Sequence, residues 1–202
     1  MTSNQERKLT MVFDVETTGL LPTKKRPGDI PHILQLCFII YDAEIKETIQ
    51  TFNSYINVPK SIEISDEITE LTGITREMCD AGNSIEDVLI SFYRAYEICT
   101  TFVAHNLKFD KDMMIIEMAR NSFKLKDLYE INSDNVFKED SKQLYCTMLS
   151  GVKTCNIMGK YQLKWPSLSE LHNKLYGEIP NGLHDALVDT NACLKCYLKL
   201  IE

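Results

Sequence analysis

No apolar run in this 202-residue sequence approaches the roughly 18 residues that would carry a helix across a membrane. The opening MTSNQERKLT lacks the apolar centre of a secretory signal. Internal repeats and low-complexity tracts are missing, which excludes solenoids and arrays. A disulfide framework is missing too. The seven cysteines (Cys37, Cys79, Cys99, Cys146, Cys155, Cys193 and Cys196) are odd in number and scattered. That pattern points to reduced thiols in an intracellular compartment, cytoplasmic or nuclear. An excess of basic residues is also lacking, since the net charge is −7. This disfavours a tight, sequence-blind nucleic-acid coat, whose affinity comes mainly from Lys and Arg on phosphate. It leaves open a site that grips a short strand end through bound metal. With 44% apolar and 25% charged residues, the chain has the make-up of an ordinary globular protein, and its length suits one domain over 1–202.

Apolar, β-branched runs at Lys8–Val15 and Ile33–Tyr41, a turn at Asp42–Ile45 and a further run at Lys46–Ile56 predict a strand followed by an antiparallel hairpin. Thr101–Ala104 and Leu144–Thr147 are shorter strand candidates. Ser65 is placed to cap a helix over Asp66–Leu71 that stops at Gly73. Ser84, with Asp87 three residues on, opens a helix to about Cys99 with Val88, Phe92 and Ala95 on its apolar stripe. Further helices are expected over Lys111–Arg120, Leu168–Tyr176 and Asp185–Ile201. The last is expected to bury Leu187, Thr190, Leu194, Leu198 and Ile201. The proline-rich 21–32 segment reads as a loop and 121–143 as an irregular insertion. Strands followed by alternating helices and strands predict an α/β domain around a mixed sheet.

Three short segments carry the chemistry. In Phe13-Asp14-Val15-Glu16-Thr17-Thr18-Gly19-Leu20, a strand projects Asp14 and Glu16 to one face. Two adjacent carboxylates at the end of an apolar strand repel each other and lose hydration, unless a cation compensates or the strand end simply enters solvent. In Ala104-His105-Asn106-Leu107-Lys108-Phe109-Asp110, a short strand passes into a helix. Asp110 then falls in the first turn, where the helix dipole favours an anion. Taken alone, this segment reads as structural, with capping accounting for Asp110 and local loop hydrogen bonds for His105 and Asn106. In His184-Asp185-Ala186-Leu187-Val188-Asp189, His184 stands at a helix entrance and Asp189 one turn in, off the apolar stripe. A solvated face explains that pair alone. With Asp14, Glu16 and Asp110 added, four carboxylates suit hard cations such as Mg²⁺ or Mn²⁺, and the imidazole suits a general base.

Together FDVETTGL, AHNLKFD and HDALVD resemble the three motifs of the DEDDh exonucleases. That family includes the proofreading epsilon subunit of bacterial replicative DNA polymerase, ribonuclease T, oligoribonuclease and the TREX-type exonucleases. ISDEITELTGIT (64–75) and the segment from Trp165 to Gly177 are similar to the family's intervening text, so the resemblance covers about residues 8–200. The sister tyrosine class places Tyr four residues before the final Asp. Here that slot is Asp185, and His184 stands five before, which favours the histidine class.

The resemblance implies an RNase H-like α/β fold, a five-stranded mixed sheet with helices on both sides. It implies two Mg²⁺ ions (Mn²⁺ substituting) held by Asp14, Glu16, Asp110 and Asp189, about 3.5–4 Å apart as in two-metal sites, with His184 activating water. It also implies that Thr17 and Thr18 hold the terminal nucleotide, Leu20 wedges against its base, and His105, Asn106 and Phe109 line the pocket; Leu20 and Phe109 serve equally well as core. The expected activity is 3′→5′ removal of nucleoside 5′-monophosphates from nucleic-acid 3′ ends. Single-stranded or frayed DNA is the first expected substrate and RNA the second. A polymerase or a second copy of the chain are the further partner classes.

A non-catalytic nucleic-acid-binding or polymerase-docking module on the same fold would lack a metal carboxylate, and none is missing. A calcium- or zinc-binding structural protein would need an EF-hand loop or a closed Cys/His set. Cys193-Leu194-Lys195-Cys196 has zinc-like spacing but lies inside a helix with no second pair, and reads as two free thiols, packed or half-exposed. Two loops depart from the family, the basic Lys24-Lys25-Arg26 stretch and 121–143, and substrate choice within the family rests on such loops.

Overall fold

A computed structural model describes residues 7–23, 30–131, 136–137 and 142–202. In β1 (Leu9–Thr17), Met11, Phe13 and Val15 alternate with Val12, Asp14 and Glu16. Both sets are needed because the sheet is covered on both faces, and a doubly covered strand reads as nearly continuous apolar sequence. β2 (Ile33–Asp42) pairs antiparallel with β1, setting Asp14 opposite Cys37 and Glu16 opposite Gln35. The Asp42 carboxylate accepts the amides of Glu44 (2.9 Å) and Ile45 (3.4 Å), which turns the chain into β3 (Glu47–Tyr55) at the sheet edge.

The helices α1 (Asp66–Thr72), α2 (Arg76–Asp80) and α3 (Ile85–Ile98) follow, capped by the hydroxyls of Ser65, Thr75 and Ser84. Then come β4 (Thr101–Ala104), α4 (Leu107–Arg120), α5 (Ser122–Tyr129) and β5 (Gln143–Cys146). The chain continues through α6 (Thr147–Ser150), α7 (Val152–Cys155), α8 (Leu168–Tyr176) and α9 (Ala186–Ile201). Sheet order is β3-β2-β1-β4-β5, with β1–β4 and β4–β5 parallel and the hairpin pairs antiparallel. This is the expected five-stranded mixed sheet.

One core lies beneath α3, α4 and α5, where Phe92 meets Phe13 edge-on at 5.5 Å. The other lies beneath α8 and α9, where Leu171, Ala192, Cys193 and Tyr197 close over Val12, Ile39 and Val103. Each fully buried Phe or Leu contributes roughly 1.5–3 kcal/mol, so β1 is held rigidly from both sides. Among the described residues, no helix is long and apolar enough to cross a membrane.

The structure corrects several expectations. Helix α4 starts at Leu107, not Lys111, because Asn106 adopts a left-handed conformation (φ 65°) that turns the chain directly off β4. Within 121–143, expected to be irregular, α5 forms and Leu125, Ile131 and Val136 are buried. The short helices α2, α6 and α7 were not foreseen. On α9 the buried stripe runs Ala186, Thr190, Cys193 and Tyr197, with Leu194 beside it, whereas Ile201 is 54% exposed and Leu187 half-buried. Cysteine packs there as a small apolar residue, which rotates the inward face away from the one marked by leucines alone. Cys193 and Cys196 are buried and free, in keeping with the reading as thiols. Lys24, Lys25 and Arg26 lie outside the described residues.

Candidate metal centre

The pairing of β4 with β1 ends at Val12 opposite Val103, so the last part of β1 overhangs its parallel neighbour. The overhang leaves the Val15 amide without a strand partner on that side. The Asp110 carboxylate fills the place, accepting the amide at 3.2 Å. Asp110 comes from the first turn of α4 and is only 3% exposed. It is thereby fixed against the strand that carries Asp14 and Glu16.

The third contributor is the start of α9. Asp185 caps the helix, its carboxylate accepting the amides of Leu187 (3.0 Å) and Val188 (3.2 Å). The same carboxylate accepts from the Gln35 side-chain amide (3.2 Å), and Gln35 in turn accepts the Ala186 amide (3.2 Å). Gln35 is fully buried and sits opposite Glu16 on β2. It therefore locks the helix start to the strand pair, and Asp189 one turn on faces Glu16. The His184 amide donates to the Asp189 carboxylate (3.3 and 3.4 Å). Carboxylate oxygens of Glu16 and Asp189 and a ring nitrogen of His184 lie within 4.8 Å of one another. His184 is exposed and holds a left-handed backbone (φ 73°).

The electrostatics of this cluster are unfavourable as they stand. Burial, then Asp110, Asp189 and Glu16, push the Asp14 carboxyl well above its usual range. Burial, then Asp189 and Asp110, push Glu16 up to about 8. Asp110 is pushed up to about 8 by burial, against the Val15 amide, which lowers it. Asp189 rises to about 6, again by burial, with the His184 amide and ring opposing. Among the described residues, none of the four forms an ion pair with Lys or Arg. Clustered oxygen donors with no basic partner among the described residues have the chemistry that suits hard divalent cations.

The remaining expected residues fall around this centre. Thr17 is buried, its hydroxyl donating to the Gly19 carbonyl at 2.7 Å. Thr18 and His32 exchange hydrogen bonds, Thr18 amide to His32 carbonyl (2.9 Å) and His32 amide to Thr18 hydroxyl (3.0 Å). Arg120 holds that loop end by donating to the carbonyls of Ile30 and Pro31 (2.7 Å each), and buried Glu117 pairs with Arg120 at 2.5 Å. Leu20 is 83% exposed, and Phe109 is half-buried against the larger core. Asn106 is exposed at the α4 entrance.

His105 is committed to the protein at both nitrogens. The Pro166 carbonyl can only accept (3.1 Å), so Nε2 carries the proton and Nδ1 accepts the Thr147 hydroxyl (3.0 Å). Burial pushes its pKa down to about 4, which keeps the ring neutral.

Sequence reasoning passed over Gln35 and the capping role of Asp185. The Asp185 cap had a visible signal, an acid just before an apolar-periodic run. Gln35 had none, since a glutamine inside an apolar strand looks like an interruption until the helix above it is placed.

A family profile described as Exonuclease (RNase T) matches residues 11–197. A PolC-type DNA polymerase III of Thermotoga maritima is 36% identical over 193 residues, 95% of this chain and 12% of that protein. The 3′-5′ exonuclease DinG of Bacillus subtilis is 34% identical over 117 residues, 58% of this chain and again 12% of the relative. The chain thus spans about an eighth of the length of these relatives. Among solved structures, E. coli exonuclease I in complex with a dT13 oligonucleotide superposes with a TM-score of 0.71 at 18% identity, covering 96% of this chain and 41% of that one. The nuclease domain of 3′hExo, a DEDDh family member bound to rAMP, gives 0.66 at 15% identity, covering 98% and 94%.

Proposed function

The chain belongs to the exonuclease family, and we propose that it hydrolyses single-stranded or frayed DNA from the 3′ end, releasing nucleoside 5′-monophosphates. The observation that carries this reading is the convergence of Asp14, Glu16, Asp110 and Asp189, with no basic partner among the described residues and with His184 at their rim. Asp14, Glu16, Asp110 and Asp189 would hold two Mg²⁺ ions, and Mn²⁺ suits the same oxygen donors. Such ions, when bound, polarise the phosphoryl group and offset charge on the attacking and leaving oxygens. The chain's own part is to aim and exclude. Val15 and Gln35 fix where the carboxylates point, and the Thr18–His32 exchange sets the backbone beside the terminal nucleotide. His184 takes the proton from the attacking water. Exposed Leu20 would wedge against the terminal base, and Phe109 and Asn106 would line its pocket. His105 acts from behind, shaping the pocket wall rather than touching substrate.

DNA is the first substrate because the curated relatives include PolC-type DNA polymerases and the exonuclease I structure holds an oligo-dT. The same relatives support association with a polymerase. The rAMP in the 3′hExo structure supports RNA as the second substrate. The seven free cysteines suit a reducing, intracellular compartment. The 1–202 chain would act as one catalytic domain.

Purified protein with Mg²⁺ should shorten 5′-labelled single-stranded DNA one nucleotide at a time and leave a closed circle intact. Cleavage of the circle, or mononucleotides released first from the 5′ end, would refute the reading. Matched DNA and RNA strands decide whether a 2′-hydroxyl is tolerated. EDTA should stop the reaction, Mg²⁺ or Mn²⁺ should restore it, and Ca²⁺ should not, because its larger, looser shell misplaces the reacting oxygens. Full activity with Ca²⁺ would argue against a tight oxygen-ligand centre.

A further inference from the structure

From Lys142 to Ser169 the chain carries no aspartate or glutamate, although it holds 29 acids in all and a net charge of −7. The stretch does hold Lys142, Lys153, Lys160 and Lys164, with Tyr145, Tyr161 and the molecule's single tryptophan, Trp165. Its middle folds back on itself. Met158 bridges Leu163, the Gly159 amide donates to the Gln162 carbonyl (2.8 Å), and the Lys164 amide donates to the Ile157 carbonyl (3.0 Å). This small hairpin leaves Tyr161 85% and Trp165 65% exposed, with the Lys160 ammonium 5.1 Å from the Tyr161 ring centre. Packing accounts for neither ring, since most of each remains in water.

The segment is tied to the carboxylate centre. His105 grips Thr147 at one end and Pro166 at the other, at the exit of β4 just before Asp110's helix. A cleft of about 600 Å³ lies between the two, with Asn106, Lys108 and Lys111 on one wall and Leu144, Leu149 and Trp165 on the other. It opens at the carboxyl ends of β4 and β5, the edge of the sheet where β1 presents Glu16. Crevices at that edge are where open α/β sheets bind ligands. Lys142 is committed to the carbonyls at the end of α3 and Lys164 to Glu170. Lys111 and Lys160 form no ion pair among the described residues.

We propose that this face carries the upstream part of the strand. The nucleotides 5′ of the one being removed lie along the cleft and the hairpin, with unpaired bases stacked on Trp165 and Tyr161 and phosphates near Lys111 and Lys160. The inference rests on the exonuclease reading above. Stacking requires an exposed π-face, which every unpaired base has, so the surface favours single strands without favouring a sequence. It also answers the charge problem, because the repulsive cluster at the 3′ end is flanked by acid-free surface along the path of the strand.

Trp165 is the only tryptophan, so its fluorescence reports this surface directly. In the 202-residue chain carrying Asp110→Asn, with Mg²⁺ present, a single-stranded dodecamer should quench that emission, and a dinucleotide should not. A Trp165→Ala/Tyr161→Ala double variant should lose about tenfold or more in kcat/KM on the dodecamer. It should stay within about twofold of wild type on the dinucleotide, since non-interacting surface changes move little. Lys160→Ala should flatten the salt dependence of dodecamer binding by about 0.7 in log–log slope. Dinucleotide hydrolysis tests the exonuclease reading by itself, so the two ideas fail separately. If the dodecamer binds by anisotropy yet leaves Trp165 emission unchanged, or the double variant handles both lengths like wild type, this surface does not carry the strand.

Discussion

Asp14→Asn and Asp110→Asn should each reduce hydrolysis by at least about 10³-fold, while the metal-free protein becomes more heat-stable than wild type. On the proposed metal site, the loss follows from removing one of four carboxylate donors. The gain follows from removing an ionisable group from a site where burial first, and neighbouring carboxylates second, push all four groups upward. Asparagine is the informative replacement at 110, because its side-chain oxygen can still accept the Val15 amide that holds α4 to β1. Activity lost together with stability would indicate a broken fold, whereas activity lost with stability raised identifies a site strained for function.

The direction of the pH effect follows from the same shifts. Unfolded Asp and Glu titrate near 4, whereas folded Glu16 and Asp110 titrate at about 8 and Asp189 at about 6. Between those limits the folded protein binds more protons than the unfolded chain. Stability from these groups is therefore lost as pH rises, Asp189's share by about 6 and the others' by about 8. The gap in melting temperature between Asp110→Asn and wild type, both metal-free, should widen by a few degrees from mild acid to pH 8. Saturating Mg²⁺ should shrink it, because a bound cation stabilises the charged form that only wild type has in full. A gap that is constant with pH would mean the cluster is already compensated, and the metal assignment would fall with it.

The residues that set this behaviour were legible because carboxylates within apolar sequence conflict with local preference. Asp14 and Glu16 interrupt a strand otherwise made for burial, and the i, i+2 spacing alone puts them on one face. The mixed sheet needed only the hairpin and the alternation of helices and strands that follow it, whereas the strand order came from the structure. What stayed hidden depends on tertiary placement. Gln35 looks polar in the wrong place until α9 lies over it, and the α9 stripe shifts because Cys193 takes a core position that leucine counting does not credit. His105 was legible as a motif residue, but not its bonds to Thr147 and Pro166, which join segments 42 and 61 residues away. The helix at Ser122–Tyr129 escaped because its exposed lysines and weak periodicity resemble a loop.

Replacing His184 with glycine should slow turnover by about 10²–10⁴-fold, the usual contribution of a positioned general base, yet leave the fold as stable or slightly more so. Two features of the residue lead to this pairing. Its ring nitrogen lies within 4.8 Å of oxygens on Glu16 and Asp189, close enough to reach a water held among the carboxylates. Its backbone sits at φ 73°, a conformation that costs an L-residue about 1–2 kcal/mol and costs glycine almost nothing. The chain thus keeps a side chain where glycine would be easier, which is how strain is stored at functional positions. The amide of residue 184 still donates to Asp189 in the variant, so the carboxylate cluster should hold its metal with near-normal affinity. The glycine also leaves a gap beside the water, and free imidazole added to the assay should restore part of the rate in the variant without affecting wild type. Rescue by imidazole with metal affinity intact assigns proton transfer to His184. Collapse of Mg²⁺ affinity would instead make the imidazole a ligand, and an unchanged rate would make it a bystander whose strain serves only the turn into α9.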